Sequence, residues 1–196
     1  NDEQEADIIV INTCCFIHDA KEESIQNILE MAELKKTGRL KALIVTGCLA
    51  QRYKEEIIQE IPEVDAVLGT TSYEEIAHVI DGVLSDSPME RGDVRLTMKD
   101  VDYINLTDTH RMVTTGGHYA YLKIEEGCDK HCTYCIIPSL RGKFRSYPME
   151  RLLKQAEKMA QQGVRELILV AQETTLYGTD LYGKKSLHRL LEELCK

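Results

Sequence analysis

Short apolar runs alternate along the chain with longer stretches whose apolar positions recur every three or four residues. Ile8-Ile9-Val10-Ile11 is a continuous β-branched run, as expected for a parallel-sheet strand buried on both faces. From Ala20 to Lys36, Ile25, Ile28, Leu29, Ala32 and Leu34 recur at mostly helical spacing, and Gly38 stops the helix. Leu40 to Val45 repeats the strand and Tyr53 to Ile61 the helix, which ends at Pro62. Val64 to Leu68 and Tyr73 to Leu84 repeat the pair once more. Such alternation predicts an α/β fold with a doubly wound parallel sheet, whose ligands gather outside the carboxyl ends of the strands.

The pattern breaks at 85–115, a polar stretch read as a connector, in which Val94 to Leu96 and Tyr103 to Leu106 are candidate small strands. It resumes at Tyr119 to Ile124, an alternating strand that runs into a cysteine-rich loop. A helix from Pro148-Met149 to Gln162 follows, with Leu152, Leu153, Ala156, Met159 and Ala160 on one face and Gly163 as the stop. Val164 to Val170 is the next buried strand, and Ser186 is a candidate cap for the last helix. Strand, loop, helix, strand, loop, helix is the opening of a (β/α) barrel, in which active residues sit at the carboxyl ends of strands. The expected domains are therefore 1–84 and 116–196. The chain opens on Asn1 and stops inside a helical pattern, so it is expected to be an internal piece of a longer protein.

Composition is that of an ordinary soluble protein, and no apolar run approaches the ~20 residues a membrane helix needs. A cytoplasmic location and no membrane partner are expected. The formal charge of -9 weighs against broad binding to nucleic acid, which relies on phosphate neutralisation. It suits a basic protein partner, although solubility alone also explains it. Seven unevenly spaced cysteines make a poor disulfide framework and fit metal ligation in a reducing compartment.

Three of those thiols, Cys128, Cys132 and Cys135, form CxxxCxxC. A tight loop can turn all three toward one point. Iron in a cluster and structural zinc both normally want four ligands, so the fourth position is where chemistry is expected. The loop alone leaves iron-sulfur and zinc open, and His118 and His131 are candidate fourth ligands for zinc. Under the zinc reading the chain is an interaction module without catalysis. Cys14 and Cys48 each fall just past a strand end and are expected to converge in one crevice, with Gly47 relieving crowding. Two inert buried cysteines are the alternative. Cys15 is expected to point elsewhere.

With an aromatic, Tyr134, just before its last cysteine, the loop resembles that of the radical S-adenosylmethionine enzymes. Ile11-Asn12-Thr13-Cys14-Cys15-Phe16-Ile17, Ala20-Lys21-Glu22-Glu23-Ser24 and Gly47-Cys48-Leu49-Ala50-Gln51-Arg52-Tyr53 are similar to the amino-terminal domain of the methylthiotransferases within that superfamily. The resemblance implies a doubly wound parallel-sheet domain followed by the start of a radical-SAM (β/α) partial TIM barrel. It implies two [4Fe-4S] clusters, one on Cys128, Cys132 and Cys135 and one on Cys14, Cys48 and a third cysteine in an upstream segment. It further implies S-adenosylmethionine near Tyr134, Gln172 and Glu173, and a one-electron donor as partner.

Two branches compete. One modifies an adenosine of tRNA; the other adds methylthio to an aspartate β-carbon of small-subunit ribosomal protein twelve. Ile137-Pro138-Ser139-Leu140-Arg141-Gly142-Lys143-Phe144-Arg145-Ser146 and Leu169-Val170-Ala171-Gln172-Glu173-Thr174-Thr175-Leu176-Tyr177-Gly178 look like the ribosomal-protein branch. Arg141, Lys143 and Arg145 are candidates for gripping a carboxylate, or a solvated basic face.

Overall fold

A computed structural model describes residues 2–106, 114 and 116–196, so the end of the expected connector lies outside the described residues. The chain forms two compact units, Asn1–Tyr103 with Tyr134–Arg141, and Ile104–Thr133 with Gly142–Lys196.

The first unit contains β1 (Ile8–Thr13), α1 (His18–Thr37), β2 (Ala42–Gly47), α2 (Cys48–Glu60), β3 (Ala66–Leu68), α3 (Ile76–Leu84), α4 (Pro88–Val94), β4 (Leu96–Thr97) and α5 (Ile137–Arg141). The four strands form one parallel sheet in the order β1-β2-β3-β4, with Thr13 beside Gly47 and Thr46 beside Leu68. Alternate β2 and β3 side chains face opposite layers. Leu43, Val45 and Val67 pack with Ile28 and Ala32 of α1 and Leu49 and Ile57 of α2. Ala42, Ile44, Ala66 and Leu68 pack with Val79 and Val83 of α3 and Val94 of α4. Helices thus cover both faces, as an α/β parallel sheet requires.

Against expectation β1 is not buried on both faces, whereas every residue of β2 is buried. Among the described residues β1 pairs only with β2, and Val10 is 44 % exposed because α3 lies over β2 and β3. Ile25 and Leu29 of α1 are likewise exposed, leaving Ile28, Ala32 and Leu34 to carry its apolar stripe. The second helix starts at Cys48, earlier than its apolar spacing suggests, and bends at Lys54. Tyr103 to Leu106 forms no strand, whereas α4, capped by the Ser87 hydroxyl, leads into the small strand β4.

The second unit contains β5 (Tyr119–Lys123), β6 (Glu125–Glu126), β7 (Arg145–Ser146), α6 (Met149–Gln161), β8 (Glu166–Val170), α7 (Thr179–Tyr182) and α8 (Leu187–Leu194). Parallel β5 and β8 pair from Tyr119 beside Glu166 to Lys123 beside Val170. Ala120, Leu122 and Ile124 pack with Leu152 and Met159 of α6, Leu190 of α8 and the fully buried Tyr177. The Tyr177 hydroxyl donates to Tyr147 O at 2.9 Å, satisfying the one polar atom of that ring. Against expectation, β8 is only half-buried, having β5 as its single partner among the described residues. Ser186 precedes α8 but gives it no side-chain cap; its hydroxyl donates to Lys184 O.

Candidate metal centres

In the first unit the register of β1 and β2 sets Thr13 and Gly47 side by side, so Cys14 and Cys48 leave adjacent strand ends. The approach is close. Gly47 has φ +96°, and a Cβ there would lie 2.6 Å from Asn12 Oδ1 and 2.7 Å from Thr13 N. Thr13 Oγ1 donates to Thr46 O at 2.6 Å, clamping the two strand ends together. Ser24 of α1 holds Cys14 from both sides: its hydroxyl accepts from Cys14 N and donates to Cys14 O, each at 3.0 Å. Cys14 is half-buried and Cys48 is 2 % exposed.

Cys15 does not point elsewhere. It is buried in the same core cluster as Cys48, and its thiol lies near enough to Cys48, Arg52 and Cys14 to interact with each. Burial first, and then Cys48, push that thiol up from its usual range, while Arg52 pulls it back. Arg141 of α5 extends an Nη to Cys48 Sγ at 3.2 Å, so this guanidinium meets a thiol.

In the second unit the strand ends of β5 and β8 build the start of the cysteine loop. Gly127 N donates to Gln172 Oε1 at 2.9 Å, Cys128 N donates to Gly142 O at 3.2 Å, and Phe144 N donates to Asp129 Oδ1 at 3.0 Å. Gly127 has φ +83°, and a Cβ would lie 2.5 Å from Gly142 O and closer still to Lys143 O. His131 takes φ +48° inside the loop, a conformation that costs a non-glycine residue about 1 kcal/mol. Cys128 is half-buried and Cys132 exposed; Cys135, half-buried, lies within Tyr134–Arg141, the segment that belongs to the first unit. Tyr134 is 90 % exposed and packs no loop.

Glu173 is no surface carboxylate. It pairs with Lys130 and accepts from Thr175 N at 3.2 Å and from the Thr175 hydroxyl. The Lys130 hydrogen bond, and next that of Thr175, pull its pKa down to about 2. Glu125, which the sequence reading passed over, is wholly buried beside it. Its Oε1 accepts from Glu173 N at 3.0 Å, and its Oε2 finds no partner among the described residues. Burial pushes its pKa up to about 7, against the pull of the Glu173 and Gln172 backbone amides.

Below its ordinary value of 4.5 Glu125 is protonated whether folded or not, and its stabilising share is fully present. That share is lost as pH rises through about 7, where the buried group must ionise. Glu125→Gln keeps the shape and the acceptor without the charge. It is expected to flatten this dependence and to add about 2–3 kcal/mol above neutrality, read by urea unfolding at about pH 5 and about pH 8.

None of the seven cysteines is in a disulfide. Soft thiols in an unpaired loop, and two more at clamped strand ends, are the donor set that iron-sulfur or zinc takes. Among the described residues no three His, Cys, Asp or Glu side chains converge closely enough to hold a metal, so the loop thiols must turn inward to ligate one.

A doubly covered α/β sheet with thiols at its strand ends, followed by a parallel strand pair running into CxxxCxxC, fits the class of radical S-adenosylmethionine proteins. The family described as "Uncharacterized protein family UPF0004" matches residues 1–69, and the Radical SAM superfamily matches residues 122–196. The chain is 67 % identical over 195 residues to the ribosomal protein uS12 methylthiotransferase RimO of Lachnoclostridium phytofermentans, covering 100 % of this chain and 43 % of that protein. It is 52 % identical to the RimO of Clostridioides difficile and 50 % identical to that of a Thermoanaerobacter species, with the same coverage. Across its whole length the chain is similar to radical S-adenosylmethionine methylthiotransferases of the RimO branch. It spans less than half the length of these curated relatives. Members of this family use S-adenosylmethionine and iron-sulfur clusters.

Proposed function

We propose that the protein of which this chain forms a part adds a methylthio group to the β-carbon of an aspartate in ribosomal protein uS12, in the cytoplasm. The observation that carries this reading is identity of 46–67 % to RimO proteins across essentially the whole chain. Among the described residues no helix is long and apolar enough to cross a membrane.

Cys128, Cys132 and Cys135 would hold one [4Fe-4S] cluster. Cys14 and Cys48 would hold a second with a third thiol from outside this chain. When bound, a reduced cluster supplies one electron for reductive cleavage of S-adenosylmethionine. The chain's own residues position that chemistry. The exposed Tyr134 ring offers a flat face to an adenine. Glu173, kept ionised by Lys130, is a carboxylate matched to an ammonium, and Lys130 occupies the place such a group would take. Gln172 supports the site through the backbone of Gly127, and Glu125 through that of Glu173. A one-electron donor and the basic ribosomal protein are the partners, the latter suited to a charge of -9.

The test is product analysis. Full-length protein, reconstituted anaerobically, is given S-adenosylmethionine and dithionite with either uS12 or tRNA, and both are examined by mass spectrometry. Methylthio on an aspartate of uS12 is expected. A methylthiolated adenosine in tRNA, with unmodified protein, would reject the reading.

A further inference from the structure

We infer that Arg141 is a positioning residue for the second cluster, holding the Cys48 sulfur through an N–H···S hydrogen bond and raising the potential of the iron it ligates. The inference rests on the proposed role of Cys48. Its geometry stands on the first unit alone, to which both residues belong.

Arg141 Nη lies 3.2 Å from Cys48 Sγ, inside the range of a hydrogen bond to sulfur. The contact is built on backbone that is anchored at both ends. Cys48 is the first residue of α2, buried, with its backbone fixed by the Gly47 turn. Arg141 ends α5, and that short helix is pinned to the first unit. Leu140 is 3 % exposed and packs in the core cluster that contains Cys48, Leu49 and Ala50. Thr70 Oγ1 donates to Leu140 O at 2.8 Å. These anchors act on the residue next to Arg141, leaving its side chain a short reach to the sulfur.

A thiolate that ligates iron keeps lone pairs able to accept a hydrogen bond, so the contact survives ligation. Reduction adds negative charge to a cluster and its sulfurs. A fixed cation and donor at one ligating sulfur favours the reduced state, and hydrogen bonds to sulfur are among the levers that set cluster potentials. A planar guanidinium supplies both features without losing its proton.

The test uses full-length protein in which Cys128, Cys132 and Cys135 are alanine, so that only the second cluster loads. Its midpoint is measured by redox titration followed by electron paramagnetic resonance, in this background and with Arg141→Met or Arg141→Gln added. Arg141→Met is expected to lower the ratio of reduced to oxidised cluster at fixed potential about tenfold, equivalent to ~59 mV for one electron. Arg141→Gln, which keeps an N–H donor without the charge, is expected to fall between. Equal midpoints in all three proteins would overturn the inference while leaving the second cluster in place. No iron in the parent background would overturn the two-cluster reading itself, and the inference with it. A variant that loses iron while its iron-free form keeps the parent's far-UV circular dichroism supports the positioning role. Loss of that dichroism in both variants would assign Arg141 to folding and reject it.

Discussion

A Gly127→Ala substitution is expected to strip the metal from the CxxxCxxC loop and to cost its unit about 4 kcal/mol of stability. Two effects combine. At φ +83° any side chain is strained, and the added methyl would collide with the carbonyl oxygens of Gly142 and Lys143. Those atoms are backbone, and Gly142 O accepts from Cys128 N, so relief would move the first cysteine itself. Gly163 separates strain from collision. It has φ +98° with nothing within 4 Å of a Cβ, and Gly163→Ala is expected to cost only about 1 kcal/mol and to leave metal loading unchanged. Urea unfolding together with iron and sulfide assays compares the two variants. Equal behaviour would remove close packing at Gly127 from the account.

Gly47→Ala is expected to do the corresponding damage in the other half, again about 4 kcal/mol. Its Cβ would be driven into Thr13, whose hydroxyl clamps the strand ends by donating to Thr46 O. Wedging β1 from β2 at this point separates Cys14 from Cys48, because the two thiols follow the paired residues Thr13 and Gly47. In reconstituted full-length protein roughly half of the iron is expected to be lost, with the CxxxCxxC cluster retained. Full iron content in a folded Gly47→Ala protein would show that the strand ends can part without harm to ligation.

Much of this was legible in the sequence because long elements advertise themselves. The period of α1 and α6, and the β-branched runs of β1 and β2, gave the α/β class, and strand ends followed from the runs. Placing Cys14 and Cys48 at adjacent ends needed only that pattern. Short elements did not show: β6, β7, α5 and α7 span two to five residues each, too few for any period to emerge. Burial of β1 and β8 was overestimated because an apolar run reports a strand without saying how many neighbours it has. Supporting contacts escaped the sequence for a different reason, even where the residue itself, as with Gln172 and Arg141, was a candidate. Ser24 grips Cys14 from ten positions away, Gln172 holds Gly127 from forty-five, and Arg141 reaches Cys48 across ninety-three. Each is an ordinary polar residue whose task exists only once the chain is folded. Glu125 was the one with a possible signal: a carboxylate directly after an alternating strand, where burial was to be expected.

The central claim is that CxxxCxxC is a radical-generating cluster site and not a zinc site. Anaerobic reconstitution of the chain with iron and sulfide tests it most directly, read by metal analysis and electron paramagnetic resonance beside a Cys128→Ala variant. The expected result is a [4Fe-4S] cluster that is reducible by dithionite and absent from the variant. Stoichiometric zinc, with neither iron nor sulfide, would contradict it.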